Sequence, residues 1–262
     1  MKKGWALKQL VRLALVELLV LCMASSVAQA ECSLSVGWEP WEPYQYKEGE
    51  TLTGLDVELV SAIFTRAGCT LTFVEAPWAR LLNLVEHGKV ALAMGASHNQ
   101  EREAYAYFSK PYRSESMRLF VRKGEAANFI FNTLNELAKT PFKLGVIRGY
   151  YYGETFKELM NNADFKKQVL EADGEEENYT KLLKGRIDGF VSDPFVTASG
   201  LRKAGISDQI EMHQAVIHEN DIYVIFSKNA TTPEQVEQFN QALDAMKADG
   251  TYQKIIDKYF QQ

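Results

Sequence analysis

The sequence predicts an α/β protein built from two doubly wound units, and three observations carry that prediction. From Ser33 onward, short apolar runs alternate with stretches of helical periodicity. The first series, Leu34 to Met94, reads as βαβαβ, which right-handed crossovers wind into one unit. A weak echo follows. Leu81-Leu82 and Gly88-Lys89-Val90 match Leu182-Leu183 and Gly185-Arg186-Ile187, each a helix end, a Gly-basic turn and a strand. A chain of 262 residues with 46% hydrophobic content can furnish two lobes with a core each.

The N-terminus lies outside that pattern. Met1 to Arg12 is basic, Leu13 to Met23 is apolar apart from Glu17, and Ala28-Gln29-Ala30 ends on small residues. This is the order of a secretory signal peptide cleaved after Ala30, giving a periplasmic protein. The apolar run is too short for a membrane span, and Leu21 before Cys22 is not the small residue that lipoprotein processing requires. Without these positions the chain carries 25 Lys+Arg against 33 Asp+Glu. Such an acidic body lacks the basic surface that nucleic-acid binding needs. Cys32 and Cys69 remain, each just before a β-like run (Ser33–Val36 and Thr70–Val74). In an exported chain one disulfide between them is expected, the alternative being two buried thiols.

The elements follow in order. Leu34-Ser35-Val36 is the first strand, and Trp38 to Tyr44 is a loop rich in Pro and aromatics. Leu55, Leu59, Ile63 and Ala67 recur every four residues as the apolar face of a helix that Thr53 and Asp56 would cap and Gly68 would stop. The strand Leu71–Val74, a helix from Pro77 to near Gly88, and the strand Val90–Met94 complete the first unit. After Tyr112, Met117–Val121 reads as an extended connector. Lys143–Ile147 is a strand, a helical stretch surrounds Phe156–Met160, and Asp173 to Glu177 reads as a solvated loop. Ile187–Val191 and Ile222–Phe226 are further strands. Thr232-Pro233-Glu234-Gln235 opens a helix with a capping box, Val236, Phe239, Leu243 and Met246 form its buried face, and Gly250 ends it.

No spacing announces covalent, metal or cofactor chemistry. Gly95-Ala96-Ser97-His98-Asn99 lacks the second Gly of a nucleophile elbow. The four histidines form no metal-binding pair on a helix, and no phosphate loop or dinucleotide fingerprint is present. Recognition remains. Arg102 follows the third strand, at the carboxyl end where open α/β sheets bind ligands, and its guanidinium suits a carboxylate; its plain alternative is a surface pair with Glu101 or Glu103. Asp193 ends the second unit's strand before Pro194, placed either to accept a ligand ammonium or to cap the next helix. Trp38, Trp41, Tyr44 and Trp78 are candidates to line an apolar slot or to plug the core.

At these residues the chain resembles the bacterial extracellular solute-binding proteins of family 3, periplasmic receptors for polar amino acids. The resemblance runs through Trp41-Glu42-Pro43-Tyr44, Gly54 to Leu59, Gly88-Lys89-Val90, Glu101-Arg102, Phe108 to Tyr112, Gly185 to Asp188 and Asp249 to Tyr252. It implies two α/β lobes joined by a two-strand hinge, a Venus-flytrap that encloses its ligand. Lobe 1 would hold about 31–115 and 219–262, and lobe 2 about 116–218. By position, Arg102 matches the carboxylate-binding Arg, Ser97 a supporting hydroxyl, Asp193 the ammonium acceptor, and Trp78 a stacking aromatic. Trp41 and Tyr44 match aromatics at the pocket mouth. Three departures stand out. Trp38 replaces an acidic residue, with Glu39 adjacent; Ala91 replaces an Asp; and Gly149 is followed by Tyr150, Tyr151 and Tyr152 where a small Ser or Thr is usual. The rings of Tyr150 and Tyr151 would shrink the pocket or give it an aromatic wall.

The resulting expectation is a monomeric solute-binding protein, free of metal and cofactor, that delivers a zwitterion, by resemblance an amino acid, to the permease of an ABC transporter. Two alternatives accompany it. One is a periplasmic dehydratase-like enzyme on the same fold, using Glu39 or Glu154; the other is a ligand-sensing partner of a membrane receptor.

Overall fold

The computed structural model describes residues 32–260, so the signal segment and its cleavage site lie outside the described residues. One mixed sheet organises the chain, in the order β4-β1-β5-β11-β7-β10-β8-β9, with β6 also paired to β11. These strands are β1 (Cys32–Trp38), β4 (Cys69–Glu75), β5 (Leu92–Ser97), β6 (Ala106–Phe108), β7 (Arg113–Arg122), β8 (Leu144–Ile147), β9 (Val169–Ala172), β10 (Gly189–Ser192) and β11 (Ile210–Ser227). A small hairpin of β2 (Tyr46–Glu48) and β3 (Thr51–Thr53) stands apart.

Two strands join what the sequence divides into two units. β11 has 18 residues; its last part pairs with β5, and its earlier part runs antiparallel to β7. β7 in turn pairs with β10 through Val121, Phe120, Leu119 and Arg118. The sheet is thus two α/β lobes carried on one β7–β11 ladder, a two-strand hinge of the flytrap type. The register slips between Met212 and Val216 and between Val216 and His218, where bulges let one strand serve both lobes. This is the main departure from the residue-by-residue reading, which expected an extended connector at Met117–Val121 and a strand only at Ile222–Phe226. Each hinge strand extends because it must pair on both sides.

On one side of the hinge, α1 (Leu55–Arg66) and α2 (Trp78–Glu86) cover β1, β4 and β5. The expected cap of α1 does not form. Gly54 is the N-cap, with φ of 118° and no side-chain bond; a Cβ there would lie 2.2 Å from the Tyr44 carbonyl oxygen, so only glycine fits. Asp56 turns inward instead. Strand β5 also begins two residues later than expected, because the Val90 N–H is spent on the Leu84 carbonyl at the end of α2. The α2 face packs Trp78, Leu81 and Val85 against Ala93 and Ile225. Cys32 and Cys69 form the expected disulfide.

On the other side lie α4 (Leu134–Leu137), α5 (Glu154–Leu159), α6 (Ala163–Gln168), α7 (Glu175–Leu183) and α8 (Pro194–Ala204). Leu119, Leu137, Leu144 and Val191 share one core there. The solvated loop expected at Asp173 to Glu177 is half helix: Glu175 opens α7, and its carboxylate accepts from the Ser192 hydroxyl at 2.9 Å. Strand β10 is displaced to Gly189–Ser192 because the Asp188 N–H bonds the Lys143 carbonyl. After the short α3 (Gln100–Glu103) and the hinge, the chain closes on α9 (Pro233–Ala248) and α10 (Thr251–Phe260). The capping box of Thr232 and Gln235 forms as read. Phe239 and Leu243 are fully buried on α9, each contributing about 2 kcal/mol of hydrophobic stabilisation. Among the described residues no helix is long and apolar enough to cross a membrane.

Candidate functional site

The site lies where the carboxyl ends of β1 and β5 meet the loop after β8. Asn99 caps α3 by accepting the Arg102 N–H at 2.9 Å, which aims the Arg102 side chain inward. Arg102 is only 4% exposed, and the surface ion pair with Glu101 or Glu103 does not form. Its Nη1 donates to the Ser97 carbonyl at 2.6 Å and its Nη2 to the Gly149 carbonyl at 2.9 Å. The guanidinium stands 5.4 Å from the Trp78 ring centre. Burial lowers its pKa, with Tyr105 and Glu101 opposing.

Glu39, the residue next to Trp38, is the second pole. It is buried; its Oε2 accepts the Trp78 N–H at 3.0 Å and its Oε1 the Tyr150 hydroxyl at 2.7 Å. Burial outweighs those bonds and pushes its carboxyl up to about 7. Tyr150 reaches it by inserting its ring between two tryptophans, edge-on to Trp41 at 6.2 Å and to Trp78 at 6.4 Å. The aromatic slot is real, and a side chain from across the cleft occupies it. The slot belongs to Trp41 and Trp78; Trp38, buried beside it, lines the neighbouring larger space and receives Lys47 over its face at 5.2 Å.

A cavity of about 20 Å³, roughly the room of one water, is enclosed by Arg102, Ser97, Trp78, Tyr150, Glu39 and Glu115, among others. Trp41 and Tyr151 also line it. Tyr151 is tied to Glu154 at 2.7 Å and lies edge-on to His218 of β11. Behind Tyr150 opens a second space of about 710 Å³, which shares Glu39, Trp41 and Tyr150 with the first. Its wall carries Glu42, Glu75, Asp173, Glu175, Glu176 and Glu177 against Lys47 and Lys203. Glu42 reaches α8, accepting from the Ser199 hydroxyl at 2.7 Å.

Six of the eight residues singled out from sequence therefore line one cavity. The other two, Tyr44 and Asp193, line an adjoining space on the hinge side, to which Glu115 also belongs. Asp193 caps α8: its Oδ1 accepts the Phe195 and Val196 N–H groups at 2.8 and 3.1 Å, and its Oδ2 the Tyr44 hydroxyl at 3.3 Å. Burial raises its pKa against those bonds. Sequence reasoning missed the ligation of Asp56 by Arg113, at 2.7 and 3.1 Å, with both side chains nearly or fully inaccessible. It also missed Glu115. The available signal was period 2: Arg113, Glu115 and Met117 share the inward face of β7.

A two-lobed frame on a continuous hinge, with a buried guanidinium, an aromatic slot and buried carboxyls in the cleft, defines a clamshell protein that encloses a small solute. Residues 34–174 and 143–262 match the bacterial extracellular solute-binding proteins, family 3, and the chain belongs to that family. Its members are solute-binding proteins, which sets the dehydratase alternative aside, and the protein is periplasmic. The probable histidine-binding protein of Campylobacter jejuni is 28% identical over 244 residues, covering 90% of this chain and 88% of that one. The histidine-binding periplasmic protein of Salmonella typhimurium is 26% identical over 262 residues, covering 95% and 96%. Among solved structures, an ancestral arginine-binding protein bound to arginine has a TM-score of 0.75 at 26% identity, covering 87% of this chain and 98% of that chain.

Proposed function

We propose that this protein captures an α-amino acid with a cationic side chain and presents it, as a monomer, to the permease of an ABC transporter. The observation that carries the reading is the shared cavity of Arg102 and Glu39, one buried cation and one buried carboxyl bracketing the Trp41–Trp78 slot. Arg102, with Ser97 beside it, takes the ligand carboxylate; Trp78 and Trp41 flank the side chain. Glu39 and the acidic wall beyond Tyr150 receive its positive end. Histidine- and arginine-binding relatives support the same chemistry.

The lobes, about 31–115 with 219–262 and about 116–218, part to admit the ligand, since the cavity at Arg102 has room for little more than a water. A bound amino acid replaces the Gly149 carbonyl on Arg102 and displaces the Tyr150 ring from its slot. Tyr150 and Tyr151 then form the aromatic wall of the lobe 2 side, and Tyr44 steadies Asp193 beside the hinge. Closure excludes water, strengthens the charged contacts and shifts the population toward the form the permease reads. Export removes the signal segment after Ala30.

A thermal-shift screen of the standard amino acids, small carboxylates and diamines tests the reading, because a ligand stabilises the fold by mass action. L-arginine, L-lysine or L-histidine is expected to raise the melting temperature most. No shift with any amino acid overturns the proposal.

A further inference from the structure

We propose that the Gly149–Tyr150 segment is a latch that closes the cleft on itself and competes with the solute for Arg102 and Glu39. The inference deepens the reading above and rests on the solute being held at that pair. Tyr150 follows β8 on the lobe 2 side, yet its ring packs against the cores on both sides of the hinge. Its two neighbours remain in lobe 2. Tyr152 is buried there, its hydroxyl accepting the Ile147 N–H at 2.7 Å, and Tyr151 donates to Glu154 at 2.7 Å. Of the three consecutive tyrosines, Tyr150 is the one that crosses the cleft to Glu39.

Each contact the segment makes across the cleft duplicates one assigned to the solute. The Gly149 carbonyl accepts from Arg102 Nη2 at 2.9 Å, in the place of the ligand carboxylate. The Tyr150 ring stands edge-on to Trp41 at 6.2 Å and to Trp78 at 6.4 Å, in the place of the side chain. Its hydroxyl donates to Glu39 Oε1 at 2.7 Å, in the place of the positive end. The backbone is shaped for this approach. Gly149 has φ of 80°, and a Cβ there would lie 3.2 Å from the Ala79 Cα of α2, so a side chain would hold the loop off Arg102. With the segment seated, about 20 Å³ remains beside Arg102, too little for an amino acid. Segment and solute therefore exclude each other. Two further bonds cross the cleft, Ser199 to Glu42 at 2.7 Å and Tyr44 to Asp193 at 3.3 Å. Neither involves Arg102 or Glu39, so both are compatible with a closed form that holds either occupant. The latch must release before a solute enters, so release limits the association rate at high solute concentration. It also raises the dissociation constant of every solute by one factor, the inverse of the unlatched fraction, which sets a concentration threshold for capture.

Small-angle X-ray scattering of the protein in buffer alone tests the latch without reference to which solute it binds. The wild type is expected to be compact, and Tyr150→Ala to show a larger radius of gyration that contracts on adding L-arginine. A wild type as expanded as Tyr150→Ala overturns the inference and leaves the amino-acid reading standing. Stopped-flow tryptophan fluorescence of the wild type supplies a second arm that needs no folded alanine variant. The observed rate is expected to level off as L-arginine concentration rises, and a rate that stays linear overturns the latch. Tyr150→Phe keeps the ring and loses the bond to Glu39, so L-arginine is expected to bind up to about 5-fold tighter, the worth of one hydrogen bond. Weaker binding by Tyr150→Phe also overturns the latch. A wild type that binds none of the standard amino acids overturns the amino-acid reading, while scattering in buffer alone still decides the latch.

Discussion

Two charged clusters lie on either side of the Trp41–Tyr44 pair, and they are built differently. In one, Asp56 receives two bonds from Arg113 and a third from Gln45 at 3.2 Å, while Arg113 lies over the Tyr44 ring at 3.9 Å. Its charges balance and its hydrogen bonds close. In the other, Arg102 is met by two neutral carbonyls, Glu39 by a neutral hydroxyl and an N–H, and Glu115 Oε1 by no partner among the described residues. The first cluster closes its own hydrogen bonds; the second, beside the proposed solute site, leaves a buried acceptor open. Burial alone does not distinguish scaffold from site, whereas the completeness of the hydrogen bonding does.

The largest effect that would break this comparison comes from the closed cluster. Asp56→Asn strands the Arg113 charge, and an expected loss of about 3–5 kcal/mol should appear in urea unfolding. Replacing both partners by apolar residues of similar volume should cost less than either single change. Arg102→Ala should do the reverse: a modest effect on unfolding, but a loss of about 100-fold in affinity for the amino acid, or about 2.7 kcal/mol, by calorimetry. Equal stability losses for Asp56→Asn and Arg102→Ala would erase the distinction.

A graded contrast comes from pH. Burial pushes Glu39 up to about 7 and Glu115 and Glu175 up to about 8, from 4.5 for an ordinary carboxyl. Between those values the folded protein keeps protons that the unfolded chain releases. The stabilisation from these groups is therefore complete below about pH 4.5 and is lost as pH rises toward 8. Melting temperature without ligand should fall across that range, and Glu115→Gln should remove about 3–5 kcal/mol of the decline. The smallest effect is Tyr150→Phe, which leaves Glu39 Oε1 without its donor. A stability loss of about 1 kcal/mol is expected, with amino-acid affinity unchanged or improved because the ring is held less firmly in the slot.

Much of this was legible in the sequence where local rules suffice. The capping box at Thr232, the α9 face of Phe239 and Leu243, and the disulfide partners follow from spacing and compartment. Asp193 caps a helix, one of the two readings its sequence position offered, whereas spacing alone left Arg102 open between a ligand contact and a surface ion pair. Where local rules competed with distant partners they failed. Thr53 and Asp56 look like a cap, yet Arg113, 57 positions away, draws Asp56 inward. The acidic run after Asp173 looks solvated, yet Ser192 holds Glu175 against the cleft.

By itself, then, the sequence determined the α/β alternation, the helix ends, the exported and oxidised setting, and the presence of a guanidinium and aromatics at strand ends. All of these depend on residues within a turn or two of one another. The tertiary structure alone decided which carboxyls share a cavity with Arg102, that Tyr150 fills the tryptophan slot, and that Glu115 Oε1 is sealed without a partner among the described residues. Those outcomes depend on two strands crossing between lobes. The environment of a charge there is set by segments a hundred residues apart, and no local pattern encodes it.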